Sequence, residues 1–344
     1  MTGNIQEILA ASDAAKSLQM ERKISDIFTS RAWDSDRSVY YRDSNTLKHR
    51  EIDVLSRKMF QNNKDKQSTS NPTINVSIIC ECKSLFGSNL IFSDGKIPSY
   101  SMPVVDNYWA GFESEIKDIT ENITETIGKQ SRFGEIYQYF LGRSHPDGSA
   151  IASPMHMPPP PVEIISTSFR ETKGGKISTE NGEDGKRISP AWSAIQSILS
   201  AVDASKLQSK SVSLDYIHGA EMKIYGSKFF VENVAYFFDS EVFRNSFFHP
   251  VIILNAKMWH LDNSSLNSIS SARLFINNID HELRYVDIVH EDFAESYIET
   301  CTSHFERQSQ LAIAGFWAEI EAADWAAGEE KQKLAKALAL PIKW

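Results

Sequence analysis

The stretch that decides the reading of this 344-residue chain runs 49-HREIDVLSRK-58, a polar interruption over 61–73, then 74-INVSIICECK-83. In the first run Ile52 and Val54 alternate with Glu51 and Asp53, the period of a half-buried strand. The interruption, rich in Asn, Lys, Asp and Ser with one Pro, is turn and loop chemistry. The second run is richer in β-branched residues. Its parity puts Ile78, Cys80 and Cys82 on one face and Ile79, Glu81 and Lys83 on the other. Two strands so joined most simply form a hairpin-like pair. Asp53, Glu81 and Lys83 then project into one small volume.

Two carboxylates at a strand end suit a hard cation such as Mg²⁺, which prefers oxygen ligands. A lysine two residues past the second carboxylate, on the same face, can orient or help deprotonate a water. The alternative is that Glu81 and Lys83 are a solvated strand face. Against it, this is the most apolar strand of the first hundred residues, where charges need partners.

The arrangement R-E-I-D-V, a loop, then I-I-C-E-C-K-S resembles the PD-(D/E)xK nuclease superfamily, which includes restriction endonucleases and Holliday-junction resolvases. The resemblance covers about a tenth of the chain. It implies a restriction-endonuclease-like α/β fold, a mixed central sheet flanked by helices; in the simplest members a helix soon follows the catalytic Lys strand, and here a large insertion stands in its place. It assigns metal binding to Asp53, Glu81 and the backbone carbonyl of Cys82, and water activation to Lys83. Ile52 stands where the family's name has Pro, a departure shared by many members. Some members add a first-helix acid or a helix Gln to the site, which makes Glu21 and Gln196 accessory candidates beside the alternative of plain surface residues. The implied cofactor is Mg²⁺ or Mn²⁺. The implied activity is phosphodiester hydrolysis, on DNA rather than RNA, with a role in restriction or anti-phage defence. A catalytically silent scaffold subunit of the same fold is the rival reading.

Composition is that of a globular protein: 41% hydrophobic, 24% charged and 11% aromatic. The net charge of −9 opposes strong stand-alone binding to phosphates, so either a basic cleft sits on an acidic body or a partner protein delivers substrate or controls activity. Arg42, Lys48, His49 and Arg50 form a local basic group suited to a backbone phosphate, with a solvated loop as the alternative. The three cysteines, Cys80, Cys82 and Cys301, lack metal spacing and read as buried thiols in a reducing, cytoplasmic setting. The N-terminus carries charges and no long apolar run, and no segment approaches a membrane span. A homo-oligomer is compatible with the sequence. The nine histidines show no ligand spacing, and there is no P-loop, G-x-G-x-x-G or G-x-S-x-G motif.

Along the chain, residues 4–30 read as helix with a break near Ser12–Asp13, followed by a short strand around Val39–Tyr41. Residues 84–102 look loop-like. Helical spacing from Trp109 to Ile127 predicts an amphipathic helix, Pro158–Pro161 a stiff extended segment, Val162–Phe169 a strand and Arg170–Lys186 a loop. Ser189–Pro190 starts a helix as N-cap and first-turn proline. Val231–Phe238, Pro250–Leu254 and Tyr285–Val289 read as strands, with helix from Glu291 to His304 and again over 309–328. The division follows: 1–83, first half of a nuclease core; 84–188, insertion or subdomain; 189–308, second half of the core; 309–344, C-terminal helical segment.

Overall fold

The computed structural model describes residues 12–43, 46–61, 73–93, 109–110, 159–174, 176–178, 189–221, 245–277 and 283–322. The interruption at 62–72, residues 112–127, the expected strand at 231–238 and the chain after 322 lie outside them. It is an α/β protein with two mixed sheets and three long helices among the described residues.

Helix α1 (Asp13–Ser30) begins where the sequence breaks: Ser12 Oγ accepts from the Ala15 amide at 3.1 Å, satisfying a free first-turn donor. Its buried stripe, Met20, Glu21, Ile24, Ser25 and Phe28, keeps helical spacing. Strands β1 (Asp34–Arg42), β2 (His49–Gln61) and β3 (Thr73–Lys83) form an antiparallel meander. The β1–β2 turn is built on Asp43, which accepts from the Thr46 amide and pairs with Arg50 Nε at 2.6 Å.

The chain then departs from the sequence reading. Within the segment read as loop lies strand β4 (Ser88–Ser93), and Trp109–Ala110, read as the start of a helix, is a short strand β5. Strands β6 (Ile164–Ser166) and β7 (Ser168–Lys173) split the single strand expected there, and β8 (Lys176–Ser178) falls in the expected loop. Helix α2 (Pro190–Glu221) starts as expected, with Ser189 Oγ accepting from the Trp192 amide at 3.1 Å. Strands β9 (Asn245–Leu254), β10 (Lys257–Asp262), β11 (Ser265–Ile269), β12 (Ser271–Asn277) and β13 (Leu283–His290) follow. A short 3₁₀ turn then leads into α3 (Ala294–Ala322), which joins the two expected C-terminal helices into one.

The larger sheet runs β1-β2-β3-β9-β13-β12-β6, with β5 also pairing β9. β9 lies parallel to both β3 and β13, and every residue from Phe247 to Leu254 is buried, as expected of a central parallel strand. Pro250, which has no N–H to donate, sits one residue before the ladder to β13 begins at Val251. The second sheet, β11-β10-β4-β7-β8, draws β4, β7 and β8 from residues 84–188 and β10 and β11 from later in the chain. Buried Glu171 on β7 ties it to α2: its carboxylate accepts from Ser88 Oγ, Ser189 Oγ and the Ala191 amide at the helix N-terminus, where negative charge is favoured. Glu171→Ala is expected to cost about 1.5–3 kcal/mol of stability, the range for hydrogen bonds to a charged group, read by urea unfolding.

Across β9, β13 and β12 runs a buried polar network. Arg273 forks onto Asp287 at 2.7 and 2.6 Å and donates to the Pro160 carbonyl at 2.6 Å. Tyr297 on α3 donates to Asp287, and His249 bridges the Tyr285 and Tyr297 hydroxyls at 3.0 and 2.8 Å. Burial lowers the His249 pKa to about 3, with Arg273 and His304 adding to the drop and Asp287 opposing it. Between about pH 6.5 and 3 the unfolded chain therefore binds a proton at His249 that the folded chain does not. Stability from this group is lost as pH falls through that window, by up to about 1.4 kcal/mol per pH unit. Urea midpoints from pH 7.5 downward should show a shallower acid slope for His249→Asn than for the wild type.

Candidate active site

The site forms where β2 and β3 part. Their ladder runs from Gln61↔Thr73 to Val54↔Cys80. Beyond it β3 stays paired with β9, through Glu81↔Ile252 to Lys83↔Leu254. At the parting point the Asp53 carboxylate takes over as acceptor: Oδ2 receives the Cys82 amide at 2.7 Å. Carried one residue past the end of the ladder, the same register sets Asp53 opposite Glu81. On the other side of β2, the pairs Arg37↔Val54 and Val39↔Ile52 bracket Ser38, whose φ of 56° places a left-handed residue beside Asp53.

Lys83 Nζ sits 2.7 Å from Glu81 Oε1. Glu81 is only 6% exposed and Glu21, reaching in from α1, 7%. Glu81 is therefore no solvated strand face. Burial pushes the Glu21 carboxyl up to about 7, and Asp53 and Glu51 push it further in the same direction. Glu81 is likewise raised to about 7, first by burial, then by Asp53, with Lys83 pulling against both. Asp53 is raised by burial, against the Cys82 N–H and Lys83. Burial works against the Lys83 ammonium, yet Glu81 and Asp53 outweigh it and hold the amine charged. Three carboxylates in low dielectric share one lysine, with half-buried Glu51 adding to the repulsion. That electrostatic deficit is one a divalent cation removes.

The donor chemistry fits a hard cation: carboxylate oxygens, with a backbone carbonyl within the same strand. Among the described residues no three His, Cys, Asp or Glu side chains are grouped as a metal-ligand set. The thiols contribute nothing: Cys80, Cys82 and Cys301 are free and buried, and burial pushes each pKa up, so none is poised as a nucleophile.

The remaining candidates separate. Glu21 joins the electrostatic cluster, whereas Gln196 is exposed on α2. Arg42, Lys48 and His49 are exposed around the β1–β2 turn, while Arg50 is half-buried against Asp43, a structural engagement of its charge. Glu51, set on the face of Asp53 by the alternation of β2, was not among the site candidates read from the sequence, although that shared parity was the available signal. None of the described helices is long and apolar enough to cross a membrane. No family model, curated protein or solved structure matches the chain.

Proposed function

We propose that the chain is a metal-dependent nuclease of the PD-(D/E)xK type, on a restriction-endonuclease-like core, hydrolysing phosphodiester bonds of DNA. The observation that carries this reading is the meeting of Asp53, Glu81 and Lys83 where β2 and β3 part, with both acids raised in pKa and one lysine among them. The order α1, a three-stranded meander, α2, then a strand parallel to β3 supports it as well. Asp53 and Glu81, with the Cys82 carbonyl, would hold Mg²⁺ or Mn²⁺, and Glu21 stands behind them. When bound, the ion supplies charge neutralisation at the phosphate and acidifies a water. Lys83 holds that water in line with the scissile bond and offsets charge developing on the phosphate. A partner that delivers substrate accords with the net charge of −9, and a role in restriction or anti-phage defence is what the family resemblance implies.

The Lys83–Glu81 contact favours a second reading, in which that pair is purely structural and the fold serves as a scaffold. Metal titration separates the two. Calorimetry with Mn²⁺ should give one saturable site in the wild type, weakened at least tenfold by Asp53→Ala or Glu81→Gln. Equal affinity across the three proteins would leave the scaffold reading standing.

A further inference from the structure

Three residues past Lys83, the turn joining β3 to β4 carries Phe86, whose side chain is 67% exposed. The chain on both sides of it is pinned. Ser84 donates from its amide to Ser17 Oγ and from its hydroxyl to Asp13 on α1, both at 3.1 Å. The Leu85 amide donates to Asn255 Oδ1 at 2.7 Å, at the end of β9, and the Leu85 side chain is buried. Gly87 closes the turn with φ 78°, a conformation that suits glycine. Lys16 lies over the ring, its Nζ 4.9 Å from the centroid. The turn is thus fixed to two elements while its aromatic ring stands in solvent with a cation on one face.

A second exposed ring lies on β1, the strand that pairs with β2 on the side away from β3. Tyr40 on β1 is 69% exposed and pairs directly with Glu51, two residues before Asp53. Directly opposed residues of an antiparallel pair share a face, so Tyr40 lies on the face of Glu51 and Asp53. Three Phe or Tyr side chains among the described residues are prominently exposed, Tyr40, Phe86 and Phe293; the first pairs with Glu51 and the second lies three residues past Lys83. Along the backbone Phe86 is at most about 11 Å from Lys83, and Glu51 about 7 Å from Asp53, which is the scale of one or two nucleotides.

We propose that Phe86, backed by Lys16, and Tyr40 are stacking platforms for unpaired bases on either side of the scissile phosphate, so that the substrate is single-stranded nucleic acid. This rests on the nuclease reading above and narrows it. Bases in a closed duplex keep their faces against one another, whereas an unpaired base offers its face to a ring. Stacking also tolerates any sequence, because every base has a π-face.

The test is binding by fluorescence anisotropy, in Ca²⁺ without Mg²⁺ or Mn²⁺, to a labelled single strand, its duplex and an abasic strand of equal length. The wild type should prefer the single strand. Phe86→Ala and Tyr40→Ala should each weaken that binding about 5- to 150-fold, with thermal unfolding unchanged, and Phe86→Trp should retain it. On the abasic strand the difference between wild type and variants should vanish, which a merely structural role for the rings would not produce. Equal affinity for duplex, wild-type binding by both alanine variants, or an undiminished loss on the abasic strand would each overturn the proposal. DNA and RNA strands run in parallel, and the tighter of the two identifies the sugar. Cleavage with Mg²⁺ is scored separately. Turnover without ring dependence refutes the platforms alone, and ring-dependent binding without turnover refutes the nuclease reading alone.

Discussion

Lys83→Ala is expected to abolish cleavage while leaving the fold and most of the metal affinity in place. The amine lies 2.7 Å from Glu81 and is held charged by Glu81 and Asp53, so under the proposed mechanism it positions water and stabilises charge and does not ligate metal. Losing a positioned group of this kind costs about 10²–10⁴-fold in rate. Asp53→Ala should behave differently. It removes the proposed metal ligand and also the acceptor of the Cys82 amide, so metal affinity, rate and some stability should fall together. Rates at saturating Mg²⁺, set beside metal titrations of both variants, distinguish the roles. A Lys83→Ala protein within a few-fold of wild type would refute the mechanism even with the fold intact.

The second large effect lies outside the site. Asp287→Ala should destabilise the protein by about 3–5 kcal/mol, because it strands the buried Arg273 guanidinium without its counter-charge. Removing both partners together, as Arg273→Met with Asp287→Leu, should recover much of the loss. Replacing a buried pair by apolar groups of similar size is often close to neutral. Urea unfolding measures both variants, and a single-variant loss below about 1 kcal/mol would show that the pair is not charged and desolvated as its burial indicates.

What the sequence revealed was local. Ser189 marked a helix start because a cap is a matter of a few neighbouring residues, and the break read at Ser12–Asp13 falls where α1 begins. The alternation in β2 and the two-sided apolar run of β9 announced strands for the same reason. The second sheet stayed hidden because its strands are short, and β4 becomes a strand only through pairing with β7 and β10, both far along the chain. Trp109 follows helical spacing, yet its backbone is captured by β9, and such long-range pairing overrides periodicity. In the site, parity brought out Asp53, Glu81 and Lys83. The burial of Glu21 depends on α1 packing against β2 and β3, which no spacing within the helix could announce. Arg50, grouped by sequence with the phosphate-seeking cations, is engaged by Asp43 across the turn. The Asp287 network joins residues from β9, β12, β13, α3 and the segment before β6, so only the folded chain displays it.

The most direct test of the central claim is cleavage of single- and double-stranded nucleic acid by the purified chain, with Mg²⁺, with Mn²⁺ and with chelator, beside Asp53→Ala and Glu81→Gln. Phosphodiester cleavage that requires the added metal and disappears in both variants, with their unfolding midpoints still cooperative, is the predicted result. Cleavage that persists in chelator or in either variant, or its absence from the wild type on every substrate with both metals, would contradict it.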